Sequence, residues 1–215
     1  IKMKIFKTLR IVLSFTLFFS LNPVSVFGSD FQTKDPVPVA WWKFNPENSR
    51  KVTDMVSMIR DSIQGNYKLV DGVEGKALKL DGFTTVIRRS SDKAPRISGS
   101  FTLEAWIAAA TYPWNWCPII AQEKKEEAGF YFGIGPQGQA GLFVSVNGVW
   151  QKCETTAKIP FRKWTHLVAS FDEKSGIKIY INGILSGQLN ASGKLIPAAE
   201  SDLLIGMNRE MTAPS

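Results

Sequence analysis

The stretch "IKIYINGILSGQL", residues 177–189, decides the fold. Apolar residues alternate before the central Asn182-Gly183, the period of a strand with one buried face, and Asn-Gly tolerates the positive φ of a two-residue hairpin turn. An antiparallel hairpin is expected here. A second is written in "GLFVSVNGVWQKCE" (141–154), which turns at Asn147-Gly148. Working outward, period-two runs predict strands at Val39–Phe44, Ala77–Leu80, Phe101–Ala108, Gly129–Ile134, Ala140–Val146, Trp164–Phe171, Ile177–Ile181 and Asp202–Ile205. The segments "GPQGQ" (135–139) and "DEKSG" (172–176) supply polar reversals between them. Many short strands with no strand-helix alternation mean a β-sandwich or barrel. In "KVTDMVSMIRDS" (51–62), however, Val52, Met55, Val56 and Ile59 fall on one helical face, which predicts a loop with a short helix.

The first 28 residues obey a different logic. Lys2, Lys4, Lys7 and Arg10 precede an apolar run from Ile11 to Leu21 that is too short to span a bilayer comfortably, the pattern of a secretory signal peptide cut after Gly28. The expected organisation is a signal peptide at 1–28, a linker at 29–38 and one β domain at 39–215. The leader holds four of the 26 basic residues and none of the 19 acidic ones, so the remainder carries a net charge of +3. With no Lys/Arg cluster left, composition offers no nucleic-acid surface, and nothing anchors the chain to a membrane after cleavage. Secretion to the periplasm, cell surface or medium places Cys117 and Cys153 in an oxidising compartment, where they either form a disulfide or stay as separate buried thiols.

The segments "VAWWKF" (39–44), "GVEGKALKLDG" (72–82), "ISGSFTLEAWI" (97–107), "KWTHLVASFD" (163–172), "IKIYINGILSG" (177–187) and "LLIGMN" (203–208) stand in the order of a known pattern. Together they resemble laminin-G-like modules of the concanavalin A-like lectin/glucanase superfamily, over roughly Pro36 to the C-terminus. The resemblance implies an all-β jelly-roll sandwich of two antiparallel sheets, in agreement with the periodicity. Such modules usually close with a strand of the form Gly-x-Ile-Asp-Glu-Val-x-Ile-Tyr that pairs near the first one, and "NREMTAPS" stops before any such segment. The C-terminal closing strand is therefore expected to be missing, "VAWWKF" to lack a partner, and further domains to follow downstream.

Catalytic chemistry has little to stand on. Glucanases of the superfamily use carboxylates at alternate positions of one strand, and the nearest approach is Glu200-Ser201-Asp202, followed by Leu204 and Ile205. The carboxylates of "EKKEE" (123–127) read as a solvated turn. His166, the one histidine, reads as a packed, hydrogen-bonded core residue, and no Gly-x-Ser-x-Gly elbow accompanies it.

Binding is better served. "TYPWNWCP" (111–118) alternates Tyr112, Trp114 and Trp116, which an extended segment turns to one side, with Asn115 as a polar neighbour and Trp150 joining from the next loop if the cysteines meet. Either this row stacks on sugar rings, or its tryptophans plug the end of the sandwich. Asp61, Ser62 and Asn66 offer hard oxygens around Gly65, a candidate structural Ca2+ site or a plain Asx turn. The expectation is an exported, non-catalytic carbohydrate-binding module, accessory to a larger extracellular glycoside hydrolase, with a polysaccharide or glycan as partner. The alternative is a structural spacer or protein-adhesion module with no sugar site.

Overall fold

The structure, a computed structural model, describes residues 2–6, 37–44, 50–124 and 127–206. In chain order its strands are β1 (Lys2–Phe6), β2 (Ala40–Lys43), β3 (Lys51–Asp54), β4 (Arg60–Gln64), β5 (Tyr67–Asp71), β6 (Lys76–Leu80), β7 (Val86–Arg89) and β8 (Phe101–Ile107). They continue with β9 (Cys117–Lys124), β10 (Ala128–Ile134), β11 (Gln139–Val146), β12 (Val149–Lys158), β13 (Thr165–Asp172), β14 (Gly176–Ile181), β15 (Ile184–Leu189) and β16 (Leu203–Ile205). All these strands pair antiparallel with their neighbours.

A single ribbon of strands curls on itself to make the sandwich. Its order is β12-β11-β10-β9-β16-β7-β4-β3-β2-β1-β8-β13-β14-β15, with β5 and β6 as a separate hairpin. The half from β3 to β15 forms sheet A, the half from β7 to β12 forms sheet B, and β4 bridges them by pairing β3 on one side and β7 on the other. The far edges meet as well: Thr156 Oγ1 donates to the Ser186 carbonyl at 3.2 Å, and the Ala157 N–H donates to Ser186 Oγ at 3.3 Å.

Alternation explains the filling. On β8, Phe101, Leu103, Ala105 and Ile107 are buried while Thr102, Glu104 and Trp106 face outward. Phe101 reaches across to Phe130 of β10 at 5.1 Å and along its own sheet to Phe171 of β13 at 5.9 Å, in tilted contacts that tie the two sheets together. Each such fully buried phenylalanine is worth about 1.5 to 3 kcal/mol. Both predicted tight turns are present: Asn147 and Asn182 have φ of 51°, and Gly148 and Gly183 have φ of 81°, the left-handed pair of a type I′ hairpin.

Several expectations change. Residues 51–62 hold no helix: β3 and β4 form a hairpin whose turn spans Met55 to Ile59. The sequence hid it because alternate inward positions are Asp54 and Asp61, and aspartate inside a sandwich breaks the apolar period. Arg89 of β7 makes their burial possible. Its guanidinium, 2% exposed, bonds Asp54 at 2.8 Å and Asp61 through both Nε and Nη2, and lies 4.9 Å from the Trp42 ring. Trp42 Nε1 donates to the same Asp61 carboxylate at 2.8 Å. Burial opposes the charge of Asp54, but bonds from Arg89, Ser57 and the N–H groups of Trp41 and Val56 overcome it and hold the carboxyl below its usual range. Removing one partner of such a group costs about 3–5 kcal/mol, because it strands a buried charge.

The first strand of the domain is not left open. β2 pairs β3 on one edge and β1 on the other, and β1 lies between β2 and β8, with Ile5 opposite Ala40 and Leu103. The rest of the predicted leader and most of the linker, residues 7–36, lie outside the described residues, as do 207–215. The cysteines form no disulfide: Cys117 opens β9 and Cys153 lies in β12, three strands away. Three spacings of about 4.8 Å make about 14 Å, twice the reach of a disulfide between Cα atoms. His166 is packed, but not in the core, and its hydrogen bond to a side chain is made by its backbone N–H, which donates to Asn182 Oδ1 at 2.9 Å. It lies half-buried on the outward face of β13, stacked on Trp106 at 4.9 Å with Nε2 3.2 Å from Glu104 Oε1.

Candidate functional site

The outward face of sheet B carries a second apolar cluster, separate from the main core: Ala121, Tyr131 and Phe143, with Trp116 and Trp150 packed against them. Strand register builds it. Lys152, Phe143, Tyr131, Ala121, Leu204 and Arg88 stand opposite one another in a row across β12, β11, β10, β9, β16 and β7. A parallel row runs through Glu154, Gly141, Gly133 and Pro118. The two glycines create a depression in an otherwise side-chain-covered sheet. A Cβ on Gly141 would come within 2.6 Å of the Trp116 indole, and one on Gly133 within 2.7 Å of the Tyr131 ring.

Trp116 therefore lies over bare backbone, edge-on to Phe143 at 4.7 Å and to Tyr131 at 6.5 Å, while Tyr131 and Phe143 stack at 5.5 Å. Lys152 Nζ sits 5.6 Å from the Phe143 ring. The Tyr131 hydroxyl and the Trp150 indole N–H are enclosed within this cluster, and a Glu123 carboxylate oxygen on β9 and the Asn115 side-chain oxygen on the preceding loop are buried as well. Among the described residues the Trp150 N–H has no acceptor within hydrogen-bond distance. Trp114 stands 65% exposed on the preceding loop. Rigid rings with polar groups set among them suit a ligand that has apolar C–H faces and hydroxyl edges.

Of the five residues expected to bind, Trp116 and Trp150 come together on this face, with Asn115 half-buried beside Trp116 in sequence. Trp150 arrives by strand register, with no disulfide to bring it. Tyr112 is employed otherwise. Its ring stacks on Phe161 at 4.0 Å and its hydroxyl donates to the Ile159 carbonyl at 2.6 Å, which fixes the loop to the end of the sandwich. Glu123 lies half-buried at the end of β9 rather than in a solvated turn. Tyr131 and Phe143 carry no signal in the sequence because "AGFYFGI" and "GLFVSV" are apolar on both faces, so nothing in them marks which face looks outward.

The proposed calcium ligands do not gather. Both Asp61 oxygens accept from Arg89, Ser62 lies on the opposite face of β4, and Asn66 is exposed beyond Gly65. These residues do not fit a calcium ion, since the guanidinium already supplies the cation. Among the described residues no three His, Cys, Asp or Glu side chains converge as a metal site. Asp202 bonds Arg88 at 3.0 Å and the Ser91 N–H at 3.0 Å, while Glu200 lies in an exposed turn. Burial pushes the thiol of Cys117 up, and burial with the Glu154 charge pushes that of Cys153 to about 11.

An all-antiparallel curled sandwich with an aromatic bed on one outer face places the chain in the jelly-roll class. It belongs to the concanavalin A-like lectin/glucanases superfamily, whose laminin G-like family model matches residues 83–214. A comparison with curated protein sequences finds no match. Among solved structures, domain 4 of AbnA, a GH43 extracellular arabinanase from Geobacillus stearothermophilus in complex with arabinotriose, is similar at TM-score 0.58 and 22% identity, over 75% of this chain and 79% of that one. The binding domain of Paraclostridial Mosquitocidal Protein 1 gives 0.59 and 16%, over 77% of this chain and 44% of that one. The binding domain of botulinum neurotoxin DC in complex with SialylT gives 0.53 and 18%, over 73% and 40%. The likeness is one of fold, and the chain spans less than half of either toxin domain.

Proposed function

We propose that the chain is a non-catalytic carbohydrate-binding module whose ligand lies on the outer face of sheet B, exported and accessory to a larger extracellular glycoside hydrolase. The observation that carries this reading is the placement of Trp116 over the Gly141 backbone, with Trp150 on the same bed and Trp114 in solvent. Stacking a sugar C–H face on these indoles buries apolar area at about 25 cal/mol per Å², and the exposed Lys152 and Glu154 of β12 stand on the same face to meet hydroxyls. The arabinanase domain, solved in complex with arabinotriose, and the toxin domain, solved in complex with SialylT, support the choice of ligand class. Export rests on the basic-then-apolar pattern of residues 1–28, and cleavage after Gly28 would also remove β1 and leave the facing edges of β2 and β8 without that strand.

Affinity electrophoresis tests the reading, with linear arabinan and a panel of other polysaccharides, and a Trp114→Ala, Trp116→Ala variant beside the parent. Retardation of the parent that disappears in the variant is the expected result. If no glycan retards the parent, the chain is a spacer or protein-adhesion module.

A further inference from the structure

We propose a second, independent binding site that takes an anionic sugar, formed by Arg50, Asn66, Tyr67, Lys68 and Lys79. These residues line a groove of about 450 Å³ between the β5–β6 hairpin and the segments flanking β3 and β4. That volume suits a small ligand.

Charge placement makes the case. Lys68 and Lys79 are direct cross-strand partners on the β5–β6 hairpin, and both are exposed. Like charges directly opposite destabilise an antiparallel pair. The same hairpin handles charge differently three positions along, where Lys76 sits opposite Asp71 and bonds it at 2.6 Å. No carboxylate among the described residues pairs with Lys68 or Lys79. Two opposed lysines with nothing between them cost the hairpin stability unless an anion bridges them.

Arg50 adds a third cation. It lies 5.5 Å from the Tyr67 ring, and its guanidinium donates to the Gly65 carbonyl, which holds it at the groove. The one acid lining the groove, Asp81, is turned to its own loop. Its carboxylate accepts the N–H groups of Phe83, Thr84 and Thr85 and the Thr84 hydroxyl. Those threonines in turn fix the wall: Thr84 Oγ1 accepts the Asn66 N–H at 3.0 Å and Thr85 Oγ1 donates to the Asn66 carbonyl. Three cations around a half-buried tyrosine ring and an amide suit a pyranose bearing a carboxylate: the ring lies on Tyr67, the carboxylate meets the cations, and Asn66 serves a hydroxyl.

Calorimetric titration of the parent with trigalacturonate, maltotriose and sodium sulfate tests this, with two variants alongside, Lys68→Gln/Lys79→Gln and Trp114→Ala/Trp116→Ala. Trigalacturonate should bind the parent, bind the lysine variant at least tenfold more weakly, and bind the tryptophan variant unchanged, with affinity falling as salt rises. The lysine variant should melt at or above the parent temperature, since the opposed charges are gone. Absence of trigalacturonate binding, or equal binding by the lysine variant, overturns the proposal. Sulfate binding as tightly as trigalacturonate overturns its sugar part, and loss confined to the tryptophan variant assigns the acidic sugar to the outer face of sheet B instead.

Discussion

Position 141 shows how one missing side chain shapes a surface. Phe143 and Gly141 both face outward from β11, yet only the glycine lets an indole settle against the backbone. Gly141→Ala places a methyl group about where the far edge of the Trp116 ring now lies, 2.6 Å away, so the ring must move. The expected outcome is a loss of about 1–3 kcal/mol of stability from overpacking, a changed near-ultraviolet tryptophan signal, and glycan retardation at least as weak as that of Trp116→Ala. Denaturant titration and affinity electrophoresis of the same variant check all three. Trp116 and Trp150 could be nominated from sequence because large aromatics beside turns are conspicuous. Gly141 could not, since its role is defined by a ring 25 residues away. Asp61 illustrates the reverse case: its oxygens were visible as hard ligands, but Arg89, 28 residues on, claims them.

Among the elements, those set by local rules were legible and those set by partners were not. The Asn147-Gly148 and Asn182-Gly183 hairpins follow from backbone preference, and "FTLEAWI" from clean alternation. The β3–β4 hairpin depends on a buried guanidinium from β7, while Met55 and Val56, which suggested a helix face, are exposed in its turn. β1 depends wholly on its neighbours. It supplies three register pairs to β2 and five to β8, filling the place where an unpaired edge was expected. A chain beginning at Ser29 lacks that strand and leaves two facing edges without partners. At about 1 kcal/mol net per hydrogen bond, the 29–215 form should lose on the order of 5 kcal/mol and self-associate through the exposed edges. Thermal unfolding and size-exclusion chromatography of the two lengths side by side check this, and equal stability with no change in elution volume would show that β1 contributes nothing to the sheet.

The molecule as a whole should be most stable between about pH 5 and 8, and each limb of its pH profile has an assigned origin. On the acid side, the carboxyl groups of Asp54, Asp81 and Asp172 are all held below the usual carboxylate range in the folded state. In each case burial is outweighed by hydrogen bonds, from Arg89 and Ser57 at Asp54, from Thr84 and loop N–H groups at Asp81, and from Ser175 at Asp172. A depressed carboxylate contributes stability that is complete above its unfolded pKa of about 3.9 and is lost as pH falls through the folded value. The denaturant midpoint should therefore hold down to about pH 4.5 and drop steeply below about 4. On the alkaline side the sign reverses. Burial keeps the Cys153 thiol protonated up to about 11, so its contribution is complete below the unfolded thiol pKa of about 8.5 and disappears as pH rises toward the folded value. Cys153→Ala removes that titration. Between about pH 9 and 11 the variant should lose less stability than the parent, measured as the slope of denaturant midpoint against pH. Because the two thiols stand three strands apart, dithiothreitol should leave both melting temperatures unchanged at neutral pH. A reductant-sensitive parent would mean that Cys117 and Cys153 meet, and that β9 and β12 are not placed as the strand order has them.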